Sequence, residues 1–218
     1  MKLQSDALAD GRESTLLWVM LPGAYMKPAD FIEAGFADAV RRRNLPHDIA
    51  LLDASVTDVA NGSALLFVQE FLRADTGRPR RRICLLGISL GAHLAMACLS
   101  QAAAAGGAAA AAADQVDCSL LLAPYLGPRD VIAQAAANPG PLAVDAGDID
   151  RQIWRWLRSG ADGRELYLGY GSDDRFARAH ELMAQCLPPG HVDVQPGGHT
   201  WPVWTALWNR HLDQHHAC

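Results

Sequence analysis

The chain has 218 residues, 50% of them hydrophobic and 20% charged, with a formal net charge of −5. That length suits one globular domain around a single core and leaves little for a second. The negative balance argues against nucleic acid or an anionic membrane as the main partner and leaves a small molecule as the expected one.

In chain order, Met1 to Arg12 is polar and acidic, with no apolar signal core. From Thr15 onward, strand-like apolar runs alternate with amphipathic helix-like stretches. The expected strands are Thr15–Leu21, Asp48–Asp53, Arg82–Ile88, Asp117–Ala123, Glu165–Gly171 and His191–Gln195. Runs such as Leu16-Leu17-Trp18-Val19-Met20-Leu21 are apolar throughout, the pattern of strands buried on both faces of a parallel sheet. The expected helices are Pro28–Arg43, Ser63–Arg73, Ser89–Ala105, Asp174–Cys186 and Trp201–His211, with Pro28 and Pro202 suiting first-turn positions. The alanine tract Ala102–Ala113 contains Gly106-Gly107, which should end a helix and open a loop. This alternation predicts an α/β, three-layer, doubly wound domain with a mostly parallel six-stranded sheet. One interval, Pro124 to Gly163, contains no strand. Its prolines and the patch Ile153-Trp154-Arg155-Trp156-Leu157 suggest a small cap or lid inserted over one end of the sheet.

Two compositional features need separate readings. The basic runs Arg41-Arg42-Arg43 and Arg80-Arg81-Arg82 fall at helix–strand junctions, where cations suit a helix C-terminus; a phosphate-binding patch is the alternative. The five cysteines, Cys84, Cys98, Cys118, Cys186 and Cys218, are odd in number and lack metal-type spacing. They read as free thiols of a reducing compartment. With no run long enough to span a membrane, a cytoplasmic protein is expected.

The chemistry centres on Gly87-Ile88-Ser89-Leu90-Gly91. An apolar strand enters this G-x-S-x-G sequence and a helix-forming stretch leaves it. A serine on so sharp a turn is pushed outward, and the flanking glycines remove side chains that would clash. The bland alternative is an ordinary strand-to-helix turn with a capping serine. A serine nucleophile needs a base. Among the eight histidines, His199 follows the last expected strand in Pro196-Gly197-Gly198-His199-Thr200, a loop able to carry an imidazole over the strand ends. His93 lies one helical turn after Ser89 and reads as a core or supporting residue. His47, His180, His191, His211, His215 and His216 read as exposed or capping. Asp173 and Asp174, after the fifth strand, both offer the carboxylate that would orient the imidazole, and one of them should cap the next helix. An oxyanion would be met by the N–H of Leu90 at the helix start and by one from Leu21-Pro22-Gly23-Ala24-Tyr25, because the loops after the first and third strands meet where strand order reverses.

This order of elbow serine, acid and histidine resembles the α/β-hydrolase superfamily from about Thr15 to His211. The resemblance implies Ser89 as nucleophile, Asp174 as acid by its spacing from Gly171, and His199 as base. It also implies Ala24 and Leu90 as oxyanion donors and no metal or organic cofactor. Departures are the missing first strands of the larger fold and Pro22 where many members carry histidine. Tyr25, Met26, Trp154, Trp156 and Trp201 are candidates for a substrate pocket, each of which could equally be core. The expected activity is hydrolysis of a small carboxylic ester through an acyl-enzyme. Alternatives are thioester hydrolysis or acyl transfer by the same residues, and a non-catalytic binding protein on the same fold. A flavodoxin-like nucleotide binder shares the topology but would need a glycine-rich phosphate loop after the first strand, which is absent.

Overall fold

The computed structural model describes residues 1–7, 13–74, 82–107, 110, 113–145 and 147–215. Arg80 and Arg81 of one basic run, His216, Cys218, the end of the polar N-terminal stretch and part of the alanine tract lie outside the described residues.

Seven strands form one sheet in the order β1-β3-β2-β4-β5-β6-β7. They are β1 (Lys2–Asp6), β2 (Leu16–Leu21), β3 (His47–Asp53), β4 (Arg82–Ile88), β5 (Val116–Leu122), β6 (Glu165–Gly171) and β7 (Val192–Gln195). All but β1 run parallel; β1 pairs antiparallel with the edge of β3. The six expected strands are therefore present within a residue or so of their expected bounds, and a seventh is added. Polar Lys2-Leu3-Gln4-Ser5-Asp6 has only two half-buried positions, so no apolar pattern announces it; it is held by its ladder to β3.

The helices are α1 (Pro28–Glu33), α2 (Phe36–Arg42), α3 (Val56–Ala60), α4 (Ser63–Ala74), α5 (Leu90–Ala105), α6 (Arg129–Ala137), α7 (Ile149–Arg158), α8 (Ala177–Ala184) and α9 (Trp201–Gln214), with a 3₁₀ turn at Ala161–Gly163. One expected helix, Pro28–Arg43, is two, because Gly35 between them adopts φ 78°, a left-handed conformation that ends one helix and opens the next. Every residue of β2 is buried, as layers on both faces require. One layer joins α4, α5 and α7; Gln152 on α7 donates to the Ser100 carbonyl on α5 at 3.1 Å. The other joins α1, α2 and α9, where Trp208 donates to the Phe36 carbonyl at 3.0 Å and meets Trp18 of β2 edge-on at 4.9 Å.

The strandless interval Pro124–Gly163 contains α6, α7 and the 3₁₀ turn. Parallel β5 and β6 need a crossover between them, usually a helix, and α7, packed on α5, occupies that place. The first basic run is structural. Arg41 bridges Asp6 at 2.7 Å and donates to the His47 carbonyl, while Arg43 bridges Asp213 at 2.7 Å and bonds Asn209.

Candidate active site

Strand order reverses between β2 and β4, since the chain lays β3 on one side of β2 and β4 on the other. Loops leaving the C-terminal ends of these two strands share a crevice. β4 ends at Ile88, and Ser89 follows with φ 52° and ψ −108°, a conformation that costs an L-residue of order 1–3 kcal/mol and persists only where the surroundings impose it. Ser89 is the N-cap residue of α5, yet its side chain makes no capping hydrogen bond. The capping-serine alternative is therefore not what the side chain does.

The flanking glycines are required by space. A Cβ on Gly87 would lie 2.4 Å from the Ala92 backbone, and one on Gly91 would lie 2.0 Å from the Leu21 carbonyl oxygen. The second value also shows how tightly the end of β2 abuts the turn. A Cβ on Gly23 would come within 3.2 Å of the Ile88 carbonyl oxygen, so the loop carrying Ala24 lies against the residue preceding Ser89. Leu90 N–H sits in the first turn of α5, where no upstream helical carbonyl can accept it. Ala24 N–H makes no backbone hydrogen bond among the described residues. The loop that carries Ala24 and the turn that carries Ser89 and Leu90 thus lie at adjacent strand ends.

A second grouping forms at the ends of β6 and β7. His199 Nδ1 donates to Asp174 Oδ2 at 2.7 Å, and Asp174 Oδ1 accepts from Phe176 N–H at 2.8 Å. Burial would push the Asp174 carboxyl up, but the hydrogen bonds from His199 and from the Phe176 N–H, with the nearby imidazoles, outweigh it and hold the group below its usual range. The ring edges of Phe176 and Trp204, at 5.5 and 5.0 Å, flank the His199 imidazole. The two loops meet closely, since a Cβ on Gly171 would lie 2.1 Å from the Gly197 carbonyl oxygen. Among the described residues His199 bonds Asp174, and no hydrogen bond links it to Ser89.

Asp173 does not cap the following helix, which begins only at Ala177. Its carboxylate accepts from Gly197 N–H at 3.2 Å and its own N–H donates to the Gly197 carbonyl at 2.8 Å. It braces the loop that carries His199.

The five pocket candidates differ in exposure. Tyr25 is 89% exposed at a loop tip, and Met26 is half-buried with its sulfur accepting from Gly23 N–H at 3.2 Å. Trp154 and Trp156 are buried, their indoles donating to the Leu126 carbonyl at 2.9 Å and to Asp162 at 2.7 Å. Trp201 packs in an aromatic cluster with Phe31, Phe36 and Trp204 at 5.4–5.9 Å. Trp154 and Trp156 are thus packed into the interior, whereas Trp201 is half-buried.

Three histidines expected at the surface, His47, His180 and His211, are buried. His93 is buried too. Burial lowers its pKa, and it faces Asp150 on α7 with Nδ1 3.8 Å from Oδ1, while burial raises the Asp150 carboxyl. Tyr125, His180 and Asp150 are neighbours of the site that sequence reading missed. Tyr125 meets Ser89, His180 meets Pro124 and Asp150 meets His93 across 36, 56 and 57 positions, and no local pattern marks these pairs.

No protein-family model and no curated protein matches the sequence. Solved structures do match in fold. A fluorophosphonate-binding serine hydrolase of Staphylococcus aureus superposes with a TM-score of 0.66 at 11% identity, covering 97% of this chain and 91% of that one. An S-formylglutathione hydrolase from Staphylococcus aureus gives 0.62 at 11% identity over 93% and 81%. An acetyl ester-xyloside bifunctional hydrolase from Caldicellulosiruptor lactoaceticus gives 0.61 at 17% identity over 98% and 88%. The chain has the α/β-hydrolase fold.

Proposed function

We propose that this protein is a serine hydrolase that cleaves a small carboxylic ester through an acyl-enzyme. The observation that carries the reading is Ser89 itself: a non-glycine residue held at φ 52° between two obligatory glycines, its side chain unused as a helix cap. Strain of this kind is kept where it serves a reaction. In this reading His199 Nε2 takes the Ser89 proton as Oγ attacks the ester carbonyl. Asp174 holds the other imidazole nitrogen and stabilises the imidazolium. The N–H groups of Ala24 and Leu90 bind the oxyanion. The imidazolium then protonates the departing alcohol, and water, deprotonated by the same imidazole, releases the acid and frees Ser89. Two of the fold neighbours, a serine hydrolase and an acetyl ester-xyloside hydrolase, support the same class. The partner is a small acyl substrate, and the reading needs no cofactor.

The test is hydrolysis of p-nitrophenyl esters and matched thioesters of graded acyl length. Turnover of short esters that disappears in Ser89→Ala, with an unchanged melting temperature, is the expected result. Equal turnover in Ser89→Ala would refute the assignment.

A further inference from the structure

After β5 the chain does not leave the sheet at once. Ala123, at φ 45°, donates its N–H to the Gly169 carbonyl on β6 at 2.7 Å. Two residues on, Tyr125 N–H donates to the Ser89 carbonyl at 3.0 Å. Residues 123–125 therefore bridge the strand that leads to Asp174 and the turn that carries Ser89. The Ser89 carbonyl also accepts from His93 N–H at 3.1 Å, and Ser89 N–H donates to the Leu122 carbonyl at 2.8 Å. These bonds fix both torsions of the strained residue.

Two buried imidazoles address the same bridge. His180, on α8 just beyond Asp174, is 0% exposed and its Nε2 lies 3.0 Å from the Pro124 carbonyl oxygen. A carbonyl only accepts, so the proton is on Nε2. His93, on α5 one turn from Ser89, meets the Tyr125 ring at 5.4 Å. In both histidines Nδ1 is buried without a hydrogen-bond partner among the described residues. A leucine would fill such space without burying that atom, which is unfavourable when unpaired. What the imidazole adds is its contact with the bridge and, for His93, its approach to Asp150 Oδ1 at 3.8 Å.

We propose that His93 and His180 are positioning residues, which hold the 123–125 bridge and thereby set Ser89 in register with the Asp174–His199 pair. The inference rests on the reading of Ser89 as nucleophile. Loss of either ring contact leaves packing nearly intact but lets the bridge relax. Displacements of about 1 Å at a reacting group cost about 10²-fold in rate.

The experiment compares His93→Leu and His180→Leu with His93→Gln and His180→Gln, measuring the rate of Ser89 labelling by a fluorophosphonate probe, kcat and KM for p-nitrophenyl acetate, and melting temperature. The Leu variants should lose about 10²-fold in labelling rate and kcat with little change in KM. The Gln variants, which keep an N–H donor, should recover most of that loss at similar melting temperature. Leu variants that label and turn over at wild-type rates would overturn the proposal, as would Gln variants that recover nothing. Should a Leu variant fail to fold, the labelling rate and kcat of its Gln partner decide: near wild-type values support the proposal, and a full loss overturns it. A wild-type protein that takes no label defeats the Ser89 reading and this inference with it, whereas a labelled wild type with indifferent Leu variants defeats the inference alone.

Discussion

Histidines gather at both ends of the sheet, in different company. At the C-terminal ends of the strands, His199 stands 2.7 Å from a buried carboxylate, and Ser89 follows β4 on a strained backbone. Near the starts of β6 and β7, His191 stacks on Tyr167 at 4.5 Å, Tyr167 meets His215 and His211 at 4.3 and 4.9 Å, and His211 lies against Trp18 and Trp208. A 190 Å³ cavity opens there, lined in part by Tyr167, His191, Arg210 and His211. A cavity and three imidazoles are thus no mark of reactivity at that end, where burial drives His211 down to about 3, aided by His215. An imidazole unable to take up a proton near neutrality cannot act as a base. The end proposed as reactive is marked by the Asp174–His199 pair and by the strained backbone of Ser89.

The contrast breaks most sharply at the acid. Asp174→Asn should lower kcat for a short ester by about 10⁴-fold, as loss of the orienting carboxylate does in comparable triads, whereas His211→Leu should leave kcat unchanged. Equal losses in the two variants would erase the distinction between the ends.

Next in size is Gly91→Ala, whose methyl would meet the Leu21 carbonyl at 2.0 Å. It should destabilise by about 1–3 kcal/mol or more and also lose turnover, because the oxyanion loop must retreat. Gly140→Ala, with nothing within 4 Å, should stay within about 0.5 kcal/mol of wild type. Urea unfolding of both variants checks this pair.

The opposite end should show itself in acid. Burial holds His211 at about 3 and His47 at about 4, against an ordinary 6.5. Below 6.5 the unfolded chain binds protons that the folded one refuses. Their stabilisation is therefore complete above 6.5 and declines as pH falls from there toward 4 and 3. Between pH 7.5 and pH 5 His211 should account for about 2 kcal/mol of lost stability, and His211→Leu should flatten the curve by that amount. An unaltered pH dependence would mean the ring is not buried neutral.

The smallest effect falls on Asp173, whose exposed carboxylate accepts one bond from Gly197. Asp173→Asn should change stability by about 1 kcal/mol or less and turnover only a few-fold. A 10⁴-fold loss here, with Asp174→Asn active, would exchange the roles of the two carboxylates.

How far these features could be read from sequence follows their physical range. The parallel strands were legible because burial on both faces forces apolar runs such as Leu16–Leu21. The elbow was legible because Gly87 and Gly91 have no substitute at 2.0–2.4 Å clearances. Asp174 was separable from Asp173 only through the resemblance, since both carboxylates sit at one strand end and only the fold decides which meets His199. Strand β1 was missed because an edge held by backbone bonds needs no apolar pattern. The split at Gly35 was missed because helix periodicity continues on both sides of it. His180 was misread because its partner, the Pro124 carbonyl, is 56 residues away and leaves no trace in local pattern.

The central claim is that Ser89 is an activated nucleophile, and mass spectrometry after treatment with a fluorophosphonate tests it most directly. The account predicts one adduct per chain, on the peptide holding Ser89, formed by the wild type and absent from Ser89→Ala. No adduct, or an adduct on any other residue, would contradict it.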